Sequence, residues 1–373
     1  MRKFLSLFCL AVMIISCGKQ ERVDRVVENG VEVIRNKLRP YQIKDTPRNL
    51  QVDKKVLIDF QGEEIIKLGI ADIRGFDVDK EGNVYISVFK GECCLHKFDP
   101  EGRFVMSYAR KGQGPGEMPI AKSLNVNDRN EILVHDVAKQ KLVVFDDRGR
   151  LIKEIDPPPR ITRLSPLSNG NYLVSTHTPE RPSPFYYLVD LSIYDSDLKE
   201  IRRLERLKLP NGPGASYWLP WKDKIYVGSE ERRYEIWVYD LKGDLIRKIK
   251  KEYEPVKIPE DIWVAWKSAR IRLKLQTHTA EDFQVPENWP PFDAFFIDEE
   301  GRLYVRTFEA GPEKGEYVHD IFNSGGVFIA RKSLDLSFDR EYEYARSKNG
   351  QIYGFSENEA GFEQLSVYQL KWE

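Results

Sequence analysis

One cassette recurs along this chain from about residue 70 to the C-terminus, and few architectures accommodate it. In its clearest copy an alternating strand, Gly75-Phe76-Asp77-Val78-Asp79, meets the turn Lys80-Glu81-Gly82-Asn83 and a second strand, Val84-Tyr85-Ile86-Ser87-Val88. A third strand, Leu95-His96-Lys97-Phe98-Asp99, passes through Pro100-Glu101-Gly102-Arg103 into a fourth, Phe104-Val105-Met106-Ser107-Tyr108. Four short strands per unit, repeated at roughly 40–50 residues, is the signature of a β-propeller blade. The glycine or asparagine in each turn supplies the positive φ that hairpins matching the strand twist require. The repeat dictates shape and leaves the chemistry open.

Five further copies follow. They centre on Glu131-Ile132-Leu133-Val134, Tyr172-Leu173-Val174-Ser175, Lys224-Ile225-Tyr226-Val227, Leu303-Tyr304-Val305-Arg306 and Gln351-Ile352-Tyr353-Gly354. The sixth copy opens at Tyr342-Glu343-Tyr344-Ala345 and stops after its third strand, at Leu370-Lys371-Trp372-Glu373. At the other end Glu64-Ile65-Ile66-Lys67-Leu68 stands as a surplus strand, similar to the fourth strand Leu151-Ile152-Lys153-Glu154-Ile155. Ring closure is the expectation: an N-terminal strand completes the last blade and removes an exposed edge. The reading is an all-β, six-bladed propeller over residues 51–373, with one short helical insertion.

The N-terminus reads as a targeting segment. Arg2-Lys3 precede an apolar stretch from Phe4 to Ile15, too short to span a bilayer as a mature helix. It ends in Ile14-Ile15-Ser16-Cys17, which resembles the lipobox of bacterial lipoproteins. That resemblance implies a signal peptide over 1–16, acylation of Cys17, and attachment to a membrane surface. Residues 17–50 read as a tether, partly ordered where it meets the body. The whole chain carries a net charge of −1, and removing 1–16 takes away only two cations, so no charge field invites nucleic acid. After processing, Cys93 and Cys94 remain beside the lipidated cysteine. In an exported protein they form either a vicinal disulfide or two small side chains in a turn.

The repeated units resemble the six-bladed propellers of the NHL/TolB-like group, especially bacterial propeller lipoproteins. The stretches GFDVDKEGNVYISV, RKGQGPGE (Arg110 to Glu117) and PPFDAFFIDEEGRLYV (Pro290 to Val305) carry the likeness. Ser87 departs from it, since NHL repeats often hold Asp there. Together with the lipobox the resemblance implies a cell-envelope location, and Gly18 after Cys17, without acidic followers, points to retention in the outer membrane, facing the periplasm.

In such a ring the long loops emerge on one face, where ligands usually meet the fold. Arg110 and Lys111 lie in a glycine-rich connection that lacks the Lys-Ser/Thr ending of a P-loop, so it reads as an interblade crossing. Arg160, Arg163, His177, Arg181, Trp218, Arg232 and Arg233 are the other candidates on that face. An excursion between Glu254 and Trp289 adds Trp263 and Trp266, on a helix expected as a lid or rim. Arginine among aromatics suits a recognition surface. The first expectation is non-catalytic binding or scaffolding of a peptide, protein or glycan, without a cofactor. The alternative is a metal-dependent hydrolase or lyase of the lactonase-like propeller type. His135, His177 and His319 would be its ligands, although no HxH or HExxH spacing supports them. Metabolic labelling with a fatty-acid analogue should mark the protein and lose the mark in Cys17→Ala; label that survives this substitution refutes the anchor.

Overall fold

The computed structural model describes residues 23–43, 49–180, 183–210, 216–279, 285–336 and 345–373. The expected signal peptide (1–16), Cys17, Arg181 and Tyr342 to Tyr344 lie outside the described residues.

Among the described residues the strands form six sheets, arranged as consecutive blades around one axis. Blade one runs Ala71–Val78, Val84–Lys90, Cys93–Phe98 and Phe104–Arg110, each strand antiparallel to the next. Blades two, three and five repeat this order, beginning at Ala121–Val126, Ile161–Pro166 and Ala294–Ile297. The first strand of each blade lies innermost. Those of blades one, two and three adjoin in sequence, as do those of blades four, five, six and one. Apolar residues facing neighbouring blades fill the spaces between them; Phe76, Val84 and Ile86 of blade one meet Tyr353, Phe355 and Leu365 of blade six.

The recurring turns close on one device. An Asp or Asn opens the turn, and its Oδ1 accepts the N–H groups two and four residues on. Asp79 takes Glu81 and Asn83 at 3.0 and 2.8 Å, Asp146 takes Arg148 and Arg150, and Asp240 takes Lys242 and Asp244. Local side-chain acceptors of this kind fix turns that would otherwise leave donors unmet.

Blade six is completed from the N-terminal side, but by a different segment from the one expected. Its strands are Arg346–Lys348, Gln351–Glu357, Glu363–Trp372 and then Leu50–Asp59, which pairs antiparallel with Glu363–Trp372. Asn49 and Glu373 exchange both backbone hydrogen bonds, at 2.9 and 3.0 Å. The expected closing strand around Ile65 is instead a short helix, α1 (Glu63–Lys67), with acidic residues in its first turn and Lys67 in its last.

The described part of the segment expected as a tether is more structured than its sequence suggests. The strands Asp24–Glu28 and Val31–Asn36 form a hairpin, and Val31–Asn36 pairs parallel with Leu245–Lys251 of blade four. Blade four therefore has six strands. Ile34 enters the core shared by blades four and five, and buried Asn36 binds the carbonyls of Lys250 and Gly326 and the N–H of Phe328. The second helix, α2 (Glu260–Thr277), lies between blades four and five. No described helix is long and apolar enough to cross a membrane.

Two glycines isolate the energetics of closure. Both Gly102 and Gly170 hold positive φ, at 81° and 85°. A Cβ at Gly102 would fall 2.0 Å from the Leu57 carbonyl oxygen of the closing strand, whereas one at Gly170 meets nothing within 4 Å. Gly170→Ala should cost about 1–2 kcal/mol for the left-handed backbone alone. Gly102→Ala should cost clearly more, and equal urea midpoint shifts would show that the closing strand is not seated there.

Candidate functional site

In each blade, one residue of the innermost strand pairs with the second or third residue of the second strand. These pairs are Asp77 with Tyr85, Asn125 with Leu133, Ser165 with Leu173, Leu219 with Tyr226, Phe296 with Tyr304, and Arg346 with Tyr353. All six inner residues line a single cavity of about 630 Å³ on the propeller axis. The innermost place of these strands explains the convergence, because each borders the axis and its neighbouring residues on both faces line the same cavity.

The ring is chemically lopsided. Arg346, Asp77, Asn125 and Ser165 form a polar arc, to which Arg163 adds a second guanidinium two residues before Ser165. Leu219, Pro220, Trp221, Phe296 and Ile297 form an apolar arc opposite. Arg346 Nε stands 3.3 Å from Asp77 Oδ1, and burial pushes the guanidinium down from its ordinary pKa, with Asp77 opposing that shift. Asp77 also accepts the N–H of Val78 and, from the next blade, that of Val126 at 2.7 Å. Asn125 repeats the interblade link by donating to the Leu164 carbonyl. Arg163 donates to the Trp218 carbonyl at 3.4 Å, and its guanidinium sits 5.8 Å from the Tyr217 ring centre. Such a chamber can hold a ligand with one apolar side while offering planar, multiply donating groups to an acceptor on the other.

The mouth of this cavity is framed by Asn127, Asp128, Lys222, Asp223, Glu299 and Lys348, all in or beside the short turns joining first and second strands. It opens on the face opposite the long loops. Arg163 was expected among those loops; it lies inside the innermost strand Ile161–Pro166.

The other candidates disperse. Arg160 and His177 line a separate cleft of about 650 Å³ at the long-loop end of blade three, where His177 packs edge-on against Tyr187. Trp218 is buried in the core between blades three and four. Arg232 pairs with nearly buried Glu205 and covers the Trp237 ring at 4.2 Å, so it joins neighbouring strands, while adjacent Arg233 is exposed. Lys111 packs over Phe89, and Arg110 is exposed where it pairs with Cys93. Trp266 meets Trp289 edge-on at 5.2 Å, Trp289 stacks on Phe308, and Trp263 lies beneath Lys267.

Cys93 and Cys94 are free thiols at the start of a strand rather than in a turn. Neighbouring strand residues face opposite ways. Cys94 is buried against the Met118 carbonyl, and burial raises its pKa to about 11. The three histidines do not converge, since His135, His177 and His319 belong to blades two, three and five. Among the described residues no group of three or more His, Cys, Asp or Glu could hold a metal ion. The densest buried charge lies elsewhere: Lys251 is 3.3 Å from Asp320, which also accepts the Tyr234 hydroxyl at 2.8 Å. Burial lowers the Lys251 pKa against the pull of Asp320, and the surrounding space holds about 10 Å³, too little for a substrate.

The chain is thus a six-bladed β-propeller with an amphiphilic axial chamber. A sequence model of a family described as 6-bladed beta-propeller matches residues 78–202, about a third of the chain. Among solved structures, the fold is similar to that of a Bacteroides fragilis protein described as exported. That match has a TM-score of 0.53 and 15% identity, covering 91% of this chain and 99% of that one. It is also similar to a member of the duf4221 family from Bacteroides vulgatus, with a TM-score of 0.51 and 11% identity over 95% and 100% of the two chains. A Xanthomonas campestris gluconolactonase matches more loosely, with a TM-score of 0.44 and 12% identity over 88% and 95%. Such identities establish a shared fold alone. No curated protein sequence matches the chain.

Two buried histidines set an acid limit on stability. Burial depresses His319 to about 3 and His96 to about 4. Both groups take up their proton near pH 6.5 in the unfolded chain, so stability is complete above that pH and falls as pH drops toward the folded values. Each contributes a slope of up to about 1.4 kcal/mol per pH unit within its window. His319→Gln should flatten the loss of urea stability between pH 6 and 4; an unchanged slope would mean that the imidazole is already charged in the fold.

Proposed function

We propose that this protein is a lipid-anchored binding protein of the cell envelope, holding a small amphiphilic acid in its axial chamber. The observation that carries this reading is the asymmetric ring of six equivalent residues. Two arginines and one aspartate belong to its polar arc, leaving an excess of positive charge, and apolar residues of blades four and five face them. Guanidinium groups in a partly desolvated cavity favour carboxylates, which accept two parallel N–H bonds. A volume near 630 Å³ suits a small molecule or the end of a peptide better than a folded partner. On this reading recognition occurs at the short-turn face, away from the long loops. The lipobox supports the anchor, and the exported description of one structurally similar protein accords with an envelope setting.

A panel of aliphatic and aromatic carboxylates, with matched neutral amides, tests the reading through the melting temperature. A fitting acid at a hundred times its Kd should stabilise the fold by about 2.7 kcal/mol. Arg163→Met should bind it roughly 10–100-fold more weakly, the range for losing a charge-assisted hydrogen bond. Amides that stabilise as well as acids, or an undiminished response in Arg163→Met, would refute the assignment.

A further inference from the structure

α2 is apolar on two sides. Ile262, Trp266 and Leu273 share its half-buried side, where Trp266 meets Trp289 and Arg270 donates to the Phe185 carbonyl of blade three. The helix therefore extends over the long-loop face. On its opposite side Val264, Ile271 and Leu275 form a stripe at helical spacing, exposed by 48, 53 and 67%. Exposed Lys267 and Arg272 flank that stripe. No α2 residue is buried, so this outer row contributes nothing to the core. This basic-flanked apolar row covers the last three turns, clear of the acidic first turn with Glu260 and Asp261, and suits contact with a lipid–water interface.

The path of the chain supplies the occupant. Asp24 pairs with Arg35, and Arg35 with Lys250, so Asp24 stands two strand spacings, about 10 Å, from the end of Leu245–Lys251. At that end the chain leaves for the connection carrying α2. Cys17 is seven residues before Asp24, a reach of at most about 25 Å. A lipid on Cys17 would hold a bilayer close to the face that bears α2.

We propose that α2 lies on the membrane surface, its Val264-Ile271-Leu275 stripe at the acyl boundary and Lys267 and Arg272 among anionic headgroups. The long-loop face then turns toward the lipid, and the chamber mouth opens into the aqueous space. This inference rests on the anchored reading of Cys17.

The test uses the full acylated protein in phosphatidylethanolamine–phosphatidylglycerol vesicles containing a photoactivatable phospholipid, with adducts mapped by mass spectrometry. Adducts are expected on Val264 to Leu275 and absent from Asp128, Asp223 and Glu299 on the opposite face. Ile271→Asp with Leu275→Asp, both at exposed positions, should abolish the helix adducts and leave the melting temperature unchanged. An unlabelled α2 overturns the placement whatever the state of Cys17, as does labelling of the opposite face instead. The Cys17 peptide in the same digest reads the anchor separately. Without acyl chains it refutes the anchored reading, and α2 labelling would then support surface contact by the helix alone.

Discussion

The pairing of Glu363–Trp372 with Leu50–Asp59 is the contact on which the ring depends. Without it the last blade would stop at three strands, and Ile58 and Leu57 would be lost from the core shared by blades one and six. The pairing runs almost the full length of both strands, from Trp372 opposite Leu50 to Gln364 opposite Asp59. It joins residues more than three hundred positions apart, so it can form only once the intervening blades have brought the ends together. Everything on the axis inherits that order: Arg346 of the last blade and Asp77 of the first are neighbours because the circle shuts between them.

Much of this architecture is legible in the sequence because its turns are chemically explicit. Asp or Asn at the head of most hairpins, followed in most by Gly or Asn at positive φ, marks blade after blade. The closing strand was harder to read. Leu50–Asp59 is an outer strand with many exposed side chains and three lysine or aspartate positions in succession, so its apolar alternation is faint. Glu63–Lys67 has the stronger apolar signal, yet its acidic start and basic end suit one helical turn. The hairpin at Asp24–Asn36 was obscured for a related reason, since its partner strand lies more than two hundred residues away.

The chamber was hidden by a different circumstance. Its lining is supplied one residue at a time, from six strands that share a register and differ in side chain. No local motif holds Arg346, Asp77, Asn125, Ser165, Leu219 and Phe296 together. Superposing the six cassettes on their second-strand Tyr or Leu would have exposed the ring, since each member pairs with that residue. Searching the loops for arginine and aromatics instead collected side chains with structural employment. Arg232 with Glu205 and Trp218 in its core show how readily a propeller spends such residues on joining blades.

The docked hairpin has a mechanical consequence. Asp24–Glu28 runs antiparallel to Val31–Asn36, which lies alongside Leu245–Lys251 in parallel register. Tension applied at the N-terminus along the strand direction loads this ladder in shear. In that geometry the rungs of the ladder share the load instead of parting one after another. Behind them, the buried side chain of Asn36 grips two adjacent blades at once. A pull along that strand would be borne in shear at the rim before any strand of the closure was stressed.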